Sequence, residues 1–248
     1  TVGLLGKDKD QNFDFKKSFF ENLGDDIIVY QLPPETKQRD TVGAGPVLVL
    51  VKATNPDELI KAIGAVPGIL PPPLNETPLL PRRLGDHTVY SFGLMEIPDP
   101  TTGEMIKMEV LFGGKDGYLV AGTNPKLLQA HLDGNTANPL NAHAGLTEAA
   151  AKVGGLQSGV FGFQNDRSVM QHAAGSLKDN ADMLEAALSM IPTDDLGGVA
   201  LSDWMDLSLL PTGAVLGRYF DFTVYGAAND ARGITLKYFS PRSASLKR

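Results

Sequence analysis

The chain has 248 residues, of which 42% are hydrophobic and 21% are charged, and this balance supports a packed core and excludes an intrinsically disordered chain. Its formal net charge is −7 and its lysines and arginines are scattered, which argues against a surface that binds nucleic acid. The chain lacks cysteine, so disulfides and a cysteine nucleophile are excluded, and no apolar run approaches the roughly 20 residues that a membrane-spanning helix needs.

A short helix and a strand are the first predicted elements. An apolar residue at every fourth position, from Phe15 to Leu23, predicts a helix over residues 14–24. Asp14 is a suitable N-cap for this helix, because its carboxylate can accept a hydrogen bond from a free amide of the first turn. Residues 27–30 are apolar and β-branched or aromatic, and they predict a strand.

A Thr-Asn-Pro tripeptide occurs twice, each time between an apolar strand and a helical pattern. Its asparagines, Asn55 and Asn124, are strong N-caps, and the proline that follows suits the first helical position. The helices are predicted at residues 56–66 and up to Leu132, and a central strand at residues 47–51 precedes the first of them. The sequence therefore predicts a duplicated strand–helix unit.

Proline dominates the segment that follows the first of these helices. Residues 67–83 contain six prolines, which excludes a helix or a central strand and predicts a stiff extended loop. The last part of this segment also resembles a PxxP ligand for an aromatic groove. Further strands are predicted at residues 88–92 and 105–112, and Asp116 followed by Gly117 predicts a tight hairpin turn into the next strand.

A polar connector rich in asparagine and glycine, residues 133–145, predicts a boundary within the chain. We expect an α+β lobe at residues 1–135 and a second α+β lobe at residues 146–248 packed against it, with one continuous domain as the alternative. Local hairpins and strand-to-helix junctions predict the α+β class, with mostly antiparallel sheets and helices packed on one side.

The second lobe is predicted to repeat the same local elements. Residues 160–163 form a strand that leads into a helix through Asn165, without the proline. An apolar stripe over residues 170–191 predicts one long helix lying across a sheet. Residues 219–225 and 234–239 alternate between apolar and polar side chains, which predicts a final antiparallel hairpin with one wet side.

Motifs for nucleotides and metals are absent from the sequence. There is no Walker loop, and no G-x-G-x-x-G follows a strand. The four histidines stand alone, without the spacing of metal ligands. We therefore expect neither a cofactor nor a metal site.

Acidic residues around the only tryptophan suggest the one route to catalysis. A tryptophan beside carboxylates is common in sugar-binding sites, and two carboxylates roughly 5 to 10 Å apart can hydrolyse a glycosidic bond. An adjacent acid pair is also typical of a turn or a helix cap, which is the alternative. The candidates are Trp204 for binding and, for catalysis, Asp194, Asp195, Asp203 and Asp206.

Three segments, residues 13–26, 47–59 and 117–125, give the chain a likeness to known proteins. Together they resemble an uncharacterised family of bacterial envelope-associated proteins that is common in planctomycetes and verrucomicrobia. The resemblance extends over nearly the whole chain and rests on glycines, helix caps and apolar strands. It implies an exported or anchored α+β protein, and it assigns no catalytic residue.

The leading functional hypothesis is an extracytoplasmic binding or scaffolding protein, located in the periplasm or cell envelope, with a protein or glycan partner there. The alternative is a hydrolase of glycan or protein that uses the aspartates named above. A third possibility is a small ligand bound between the lobes near residues 133–145. Because the sequence begins at Thr1 and not at methionine, we also expect a processed or shortened chain.

Overall fold

The computed structural model confirms the α+β class with antiparallel sheets. Contacts between residues divide the chain into two units, Thr1–Ala137 and Asn138–Arg248. The residues that the structure describes are 13–33, 45–69, 78–98, 103–135, 139–156, 159–189, 209–231 and 233–246.

The first unit is built on a six-stranded sheet in which every neighbouring pair of strands is antiparallel. Its described elements are α1 (Phe15–Ser18), β1 (Leu23–Gln31), β2 (Val47–Ala53), α2 (Pro56–Ala65), a 3₁₀ turn (Val66–Ile69), β3 (Leu80–Leu84), β4 (His87–Pro98), β5 (Met105–Lys115), β6 (Tyr118–Gly122) and α3 (Pro125–Leu132). The strands lie in the order β1-β2-β6-β5-β4-β3. The internal position of β2 confirms the central strand that its apolar run predicts.

Helix α1 is shorter than the sequence predicts. Asp14 caps it as expected, because its Oδ1 accepts a hydrogen bond from the Lys17 amide at 3.3 Å. The helix nevertheless ends at Ser18, and the rest of the predicted helix belongs to a turn and to β1. The cause is Asn22, whose Nδ2 donates to the Ser18 carbonyl at 3.1 Å in place of the next helical amide.

Both Thr-Asn-Pro motifs begin a helix, as predicted. Asn55 Oδ1 accepts from the Glu58 amide at 3.3 Å, and Asn124 Oδ1 accepts from the Leu127 amide at 3.0 Å. The proline after each asparagine lies in the first turn of its helix, where its missing amide costs no hydrogen bond. The local motif is thus confirmed at both sites, while duplication of a larger unit stays a prediction.

Helices α2 and α3 pack on opposite faces of the six-stranded sheet, and the prediction of helices on one side is wrong here. Leu59 of α2 packs with Leu119 of β6, whereas Leu128 of α3 packs with the adjacent Val120, which points to the other face. The register pairs Leu50 of β2 with Val120. Leu50 and Leu119 hold equivalent positions in the two motifs, because each lies five residues before its asparagine. Leu50 faces the same side of the sheet as its partner Val120, and it therefore faces the side opposite to Leu119.

The proline-rich segment ends in an edge strand, and the prediction of a loop over its whole length is wrong. Strand β3 pairs with β4 and places Pro81 opposite Tyr90. An edge strand tolerates proline because half of its amides point away from the sheet. Residues 70–77, which hold three of the six prolines, lie outside the described part of the chain.

The turn between β5 and β6 has the predicted hairpin geometry. Asp116 and Gly117 both have positive φ angles, 49° and 76°. Two residues of this backbone conformation join antiparallel strands with the twist that the sheet requires, and glycine at the second position avoids strain.

The second unit has a three-stranded antiparallel sheet in the order β7-β8-β9. Its described elements are a 3₁₀ turn (Leu140–Ala142), α4 (Leu146–Val153), β7 (Val160–Gln164), α5 (Asp166–Asp179), α6 (Ala181–Ser189), α7 (Gly213–Leu216), β8 (Thr223–Asp230), β9 (Gly233–Phe239) and a second 3₁₀ turn (Ala244–Leu246). Asn165 caps α5 by accepting from the Ser168 amide at 3.0 Å, which confirms the third strand-to-helix junction. Leu146 and Val153 of α4 pack with Phe222 and Val224 in the core of this unit.

The predicted long helix of the second unit is broken into α5 and α6. The break lies at Asn180, whose ψ of 16° leaves the helical range. Its Nδ2 and its own amide both donate to the Ser176 carbonyl, at 2.7 and 3.1 Å, so the side chain holds the end of α5 with a bond of its own. The end of the predicted stripe, at Ile191, lies outside the described residues.

The final hairpin has one wet side, and that side is rich in apolar residues. Val224 of β8 pairs with Phe239 of β9, so these two share the buried face. The apolar residues at alternate positions of β9, beginning with Ile234, point outward. The Ile234 side chain is 80% exposed. On the same outer face the Tyr225 ring lies over Gly162 of β7, where it leaves no room for a Cβ atom.

Candidate functional site

The residues proposed as a site from the sequence lie outside the part of the chain that the structure describes. They are Asp194, Asp195, Asp203, Trp204 and Asp206. The catalytic and sugar-binding roles assigned to them therefore stay predictions.

Histidines and carboxylates in the described ranges form no metal site: no group of three or more His, Asp or Glu side chains there could hold an ion. One group of polar contacts stabilises the end of α3. His87 Nε2 lies 2.8 Å from Asp133 Oδ1, and Lys115 Nζ donates to the Leu132 carbonyl at 2.6 Å. Burial lowers the pKa of His131, and the positive charge of Lys115 lowers it further.

A second polar contact lies at the start of β1. The Tyr118 hydroxyl donates to Asp26 Oδ2 at 2.6 Å, and this bond raises the pKa of the phenol because it favours the protonated form. Lys52 lies over the Tyr118 ring, with its Nζ 4.4 Å from the ring centroid. These side chains tie β1 to β2 and β6.

Within the described residues of the first unit, an apolar hollow of about 230 Å³ offers a place for a ligand. It opens between the C-terminal end of α2 and the face of strands β4 and β5. Its lining residues are all hydrophobic or proline: Ile63, Val66, Pro67, Phe92, Leu94, Val110 and Phe112.

Strand alternation builds the floor of this hollow. Val110 and Phe112 are two residues apart in β5 and share a face, and Phe92 of β4 pairs directly with Val110. The β4–β5 register shifts between Gly93 and Met95, so one extra residue, Leu94, is accommodated at a bulge. Leu94 lies two residues after Phe92 and joins it in the lining, on the face where strand alternation alone would also place it.

Helix α2 forms the wall of the hollow through its last turn. Ile63 lies four residues after Leu59, so both belong to the helical face that packs on the sheet. Val66 and Pro67 continue this wall in the 3₁₀ turn that follows α2. The proline prevents the α-helix from extending further. Asn55 of the first Thr-Asn-Pro motif caps α2, so this motif also helps to position the wall of the hollow.

The size and chemistry of the hollow define what it can accept. A dry aliphatic cavity of about 150 Å³ accommodates one benzene molecule, and sites for drug-sized ligands start near 300 Å³. A hollow of about 230 Å³ therefore fits a single apolar group, such as a leucine or phenylalanine side chain. A sugar would lose its hydrogen bonds to water there without gaining others.

Sequence reasoning identified the strands of this site but not the hollow itself. Residues 88–92 and 105–112 were expected in strands, and both lie in β4 and β5. The one local signal for the irregularity is Gly93, because a glycine within a strand pattern often marks a bulge. The wall depends on α2 crossing this particular face, which no local pattern specifies.

Comparisons with known proteins do not assign this site. No family model matches the chain, and no curated protein or solved structure matches it either. None of the helices in the described ranges is long and apolar enough to cross a membrane.

Proposed function

We propose that the chain is an extracytoplasmic binding or scaffolding protein that holds one apolar side chain of a protein partner in the hollow of its first unit. The observation that carries the proposal is the apolar lining of the hollow, to which α2, β4 and β5 all contribute. The location in the periplasm or cell envelope rests on the resemblance to the bacterial envelope-associated family.

The chemistry of the lining favours a protein partner over a glycan. Leucine and phenylalanine side chains gain about 25 cal/mol for each Å² of apolar surface that they remove from water. A few side chains held in well-packed, desolvated pockets commonly supply most of the binding energy of a protein interface. Sugar hydroxyls would need polar partners, which none of the lining side chains offers.

The alternative of a hydrolase depends on Asp194, Asp195, Asp203 and Asp206. Its test is turnover of mixed glycoprotein and peptide substrates, with the products identified by mass spectrometry. Product that disappears in an Asp194→Asn/Asp195→Asn or an Asp203→Asn variant would establish the hydrolase and displace the binding proposal.

The binding proposal is tested by methyl NMR titration with N-acetyl-phenylalaninamide. We expect saturable shifts at the methyl groups of Leu94 and Val110, and at least tenfold weaker binding in a Leu94→Asp variant, because a carboxylate at the rim loses hydration when the hollow fills. Leu94 is 38% exposed, so the variant retains the core. Methyl β-glucoside, titrated in parallel, is expected to shift none of these signals.

Leu140→Asp is the matched control, since Leu140 lies in the second unit and is 47% exposed. It places the same charge on a leucine of similar exposure and should leave the titration unchanged. Equal binding by wild type and Leu94→Asp, or shifts that avoid the lining residues, would rule out the hollow as the binding site.

A further inference from the structure

The two edges of the six-stranded sheet differ in how they prevent association. Edge strand β3 contains Pro81, Arg82 and Arg83 within its five residues. Proline and positive charges are the devices by which sheets block pairing with another chain. Edge strand β1 has nine residues without a proline, lysine or arginine, and residues 27–30 of it are all apolar.

The apolar residues of β1 are open to solvent on both faces of the sheet. Ile27 and Val29, on one face, are 68% and 66% exposed, and Ile28 and Tyr30, on the other, are also exposed. The neighbouring strand β2 buries its apolar side chains in the core, as Leu48 and Leu50 show. A neighbouring element that covers both faces of this edge would remove its apolar side chains from water, which is favourable.

The outer edge of β1 presents backbone groups that no other described strand pairs with. The Leu32 amide donates to the Pro46 carbonyl at 2.9 Å, which places Leu32 in a hydrogen-bonded pair with the chain before β2. Hydrogen-bonded residues alternate along an antiparallel edge, so the amides and carbonyls of Ile27, Val29 and Gln31 point away from β2. No strand of the described chain pairs with them.

We infer that β1 is a dimer interface and that its occupant is β1 of a second copy of this chain, paired antiparallel about a two-fold axis at Val29. This register pairs Ile27 with Gln31 of the other copy and Val29 with itself, so these outward-facing residues of the two strands are hydrogen-bonded to one another. Ile28 then lies opposite Tyr30 on the other face. The two sheets join into one sheet, and the contact closes on itself.

Charge favours this antiparallel arrangement over a parallel one. Asp25 and Asp26 lie at one end of β1, and a parallel pairing would place each beside its own copy. In the antiparallel register Asp26 lies opposite Leu32 of the other copy, six positions from the other Asp26. That offset separates the two carboxylates by about 20 Å, well beyond the screening length of about 8 Å in physiological salt.

The interface lies apart from the apolar hollow of the proposed function. Strands β2 and β6 lie between β1 and the nearest strand of the hollow, β5. Dimerisation and ligand binding can therefore be tested separately, because a variant at β1 leaves every lining residue of the hollow in place.

Sedimentation velocity over a range of protein concentrations tests the dimer. We expect wild type to dimerise and a Val29→Lys variant to raise the dimer dissociation constant at least tenfold, since a lysine on a free edge opposes pairing. Leu80→Lys is the matched control, because Leu80 is an exposed residue at the other edge of the sheet, and it should match wild type. A wild type that stays monomeric, or an equal effect of both variants, would overturn the inference.

The register is tested by disulfide trapping, for which the absence of cysteine gives a clean background. In the proposed pairing the two Val29 Cα atoms are about 5.5 Å apart, within the range that a disulfide spans. A Val29→Cys variant should form a covalent dimer at least tenfold faster than a Leu80→Cys variant under the same oxidant. Equal rates would show random collision and reject the two-fold pairing at Val29.

Discussion

At the scale of single residues, asparagine carboxamides stabilise many of the described turns and helix ends. Asn55, Asn124 and Asn165 cap helices, and Asn180 ends one. Asn22 links two distant segments, because its Nδ2 donates to the Asn55 carbonyl and its Oδ1 accepts from the Asn55 amide, both at 2.7 Å. A carboxamide suits all these positions because it carries both a donor and an acceptor.

The cap at Asn124 gives a direct test of this local role. Asn124→Ala should lower the free energy of unfolding by about 1 kcal/mol, because the Leu127 amide loses its side-chain acceptor. Asn124→Ser should retain most of that stability, since its hydroxyl can accept the same hydrogen bond. Urea titrations of the three proteins measure the difference. An equal loss in both variants would mean that the hydrogen bond is not the source of the stability.

The sequence predicts residue-scale features well where both partners are close along the chain. Asn55 and Asn124 were identified as caps because each bonds an amide three residues further on. Asn22 was not identified, because its partner Asn55 lies 33 residues away and is brought near only by the pairing of β1 with β2.

At the scale of elements, α3 contributes to the core of the first unit through one narrow face. In α3, Leu128 is fully buried among residues of β2, β5 and β6, whereas its neighbour Leu127 is only partly buried. Adjacent helical residues point about 100° apart, so the two leucines have different surroundings despite their identical chemistry. Packing, and not helix propensity, therefore determines how much each position contributes to the stability of the fold.

Leucine truncation separates these two positions. Leu128→Ala should lower the free energy of unfolding by about 2 to 5 kcal/mol, because it leaves a cavity in a core that cannot collapse fully. Leu127→Ala, the control with the same change in helix propensity, should cost clearly less. Denaturant unfolding of both variants measures the costs. Similar losses of stability in the two variants would mean that α3 is rotated about its axis relative to the packing described above.

Most elements could be predicted from the sequence, but their mutual arrangement could not. Caps, apolar runs and the Asp116-Gly117 turn are local signals, and the elements they predict are present. The placement of α2 and α3 on opposite faces follows from the β2–β6 register, which no single strand encodes. The hollow depends on that placement, so it was not predicted.

At the scale of the whole molecule, each described core cluster lies within one unit. The clusters around Leu48, Leu59 and Phe15 belong to the first unit, and the cluster around Phe222 belongs to the second. Since cooperativity in folding comes largely from shared buried contacts, units with separate cores are expected to lose their structure in separate steps.

Hydrogen exchange read by mass spectrometry tests this separation. Phe222→Ala removes a large buried side chain at a cost of about 3 to 5 kcal/mol, and it should speed exchange in β7, β8 and β9 while β2 and β6 stay protected. Leu48→Ala should have the reverse effect. Uniformly faster exchange along the whole chain in either variant would show that the two cores unfold as one.

The ring of Tyr225 over Gly162 has a spectroscopic consequence. An aromatic ring shields protons that lie close to its face, and the two α-protons of Gly162 have no side chain to keep the ring away. Their NMR signals should move well upfield of the usual glycine range. Because Gly162 pairs with Tyr225 only in the observed register, this signal reports, in one proton spectrum, that β7 and β8 are correctly aligned.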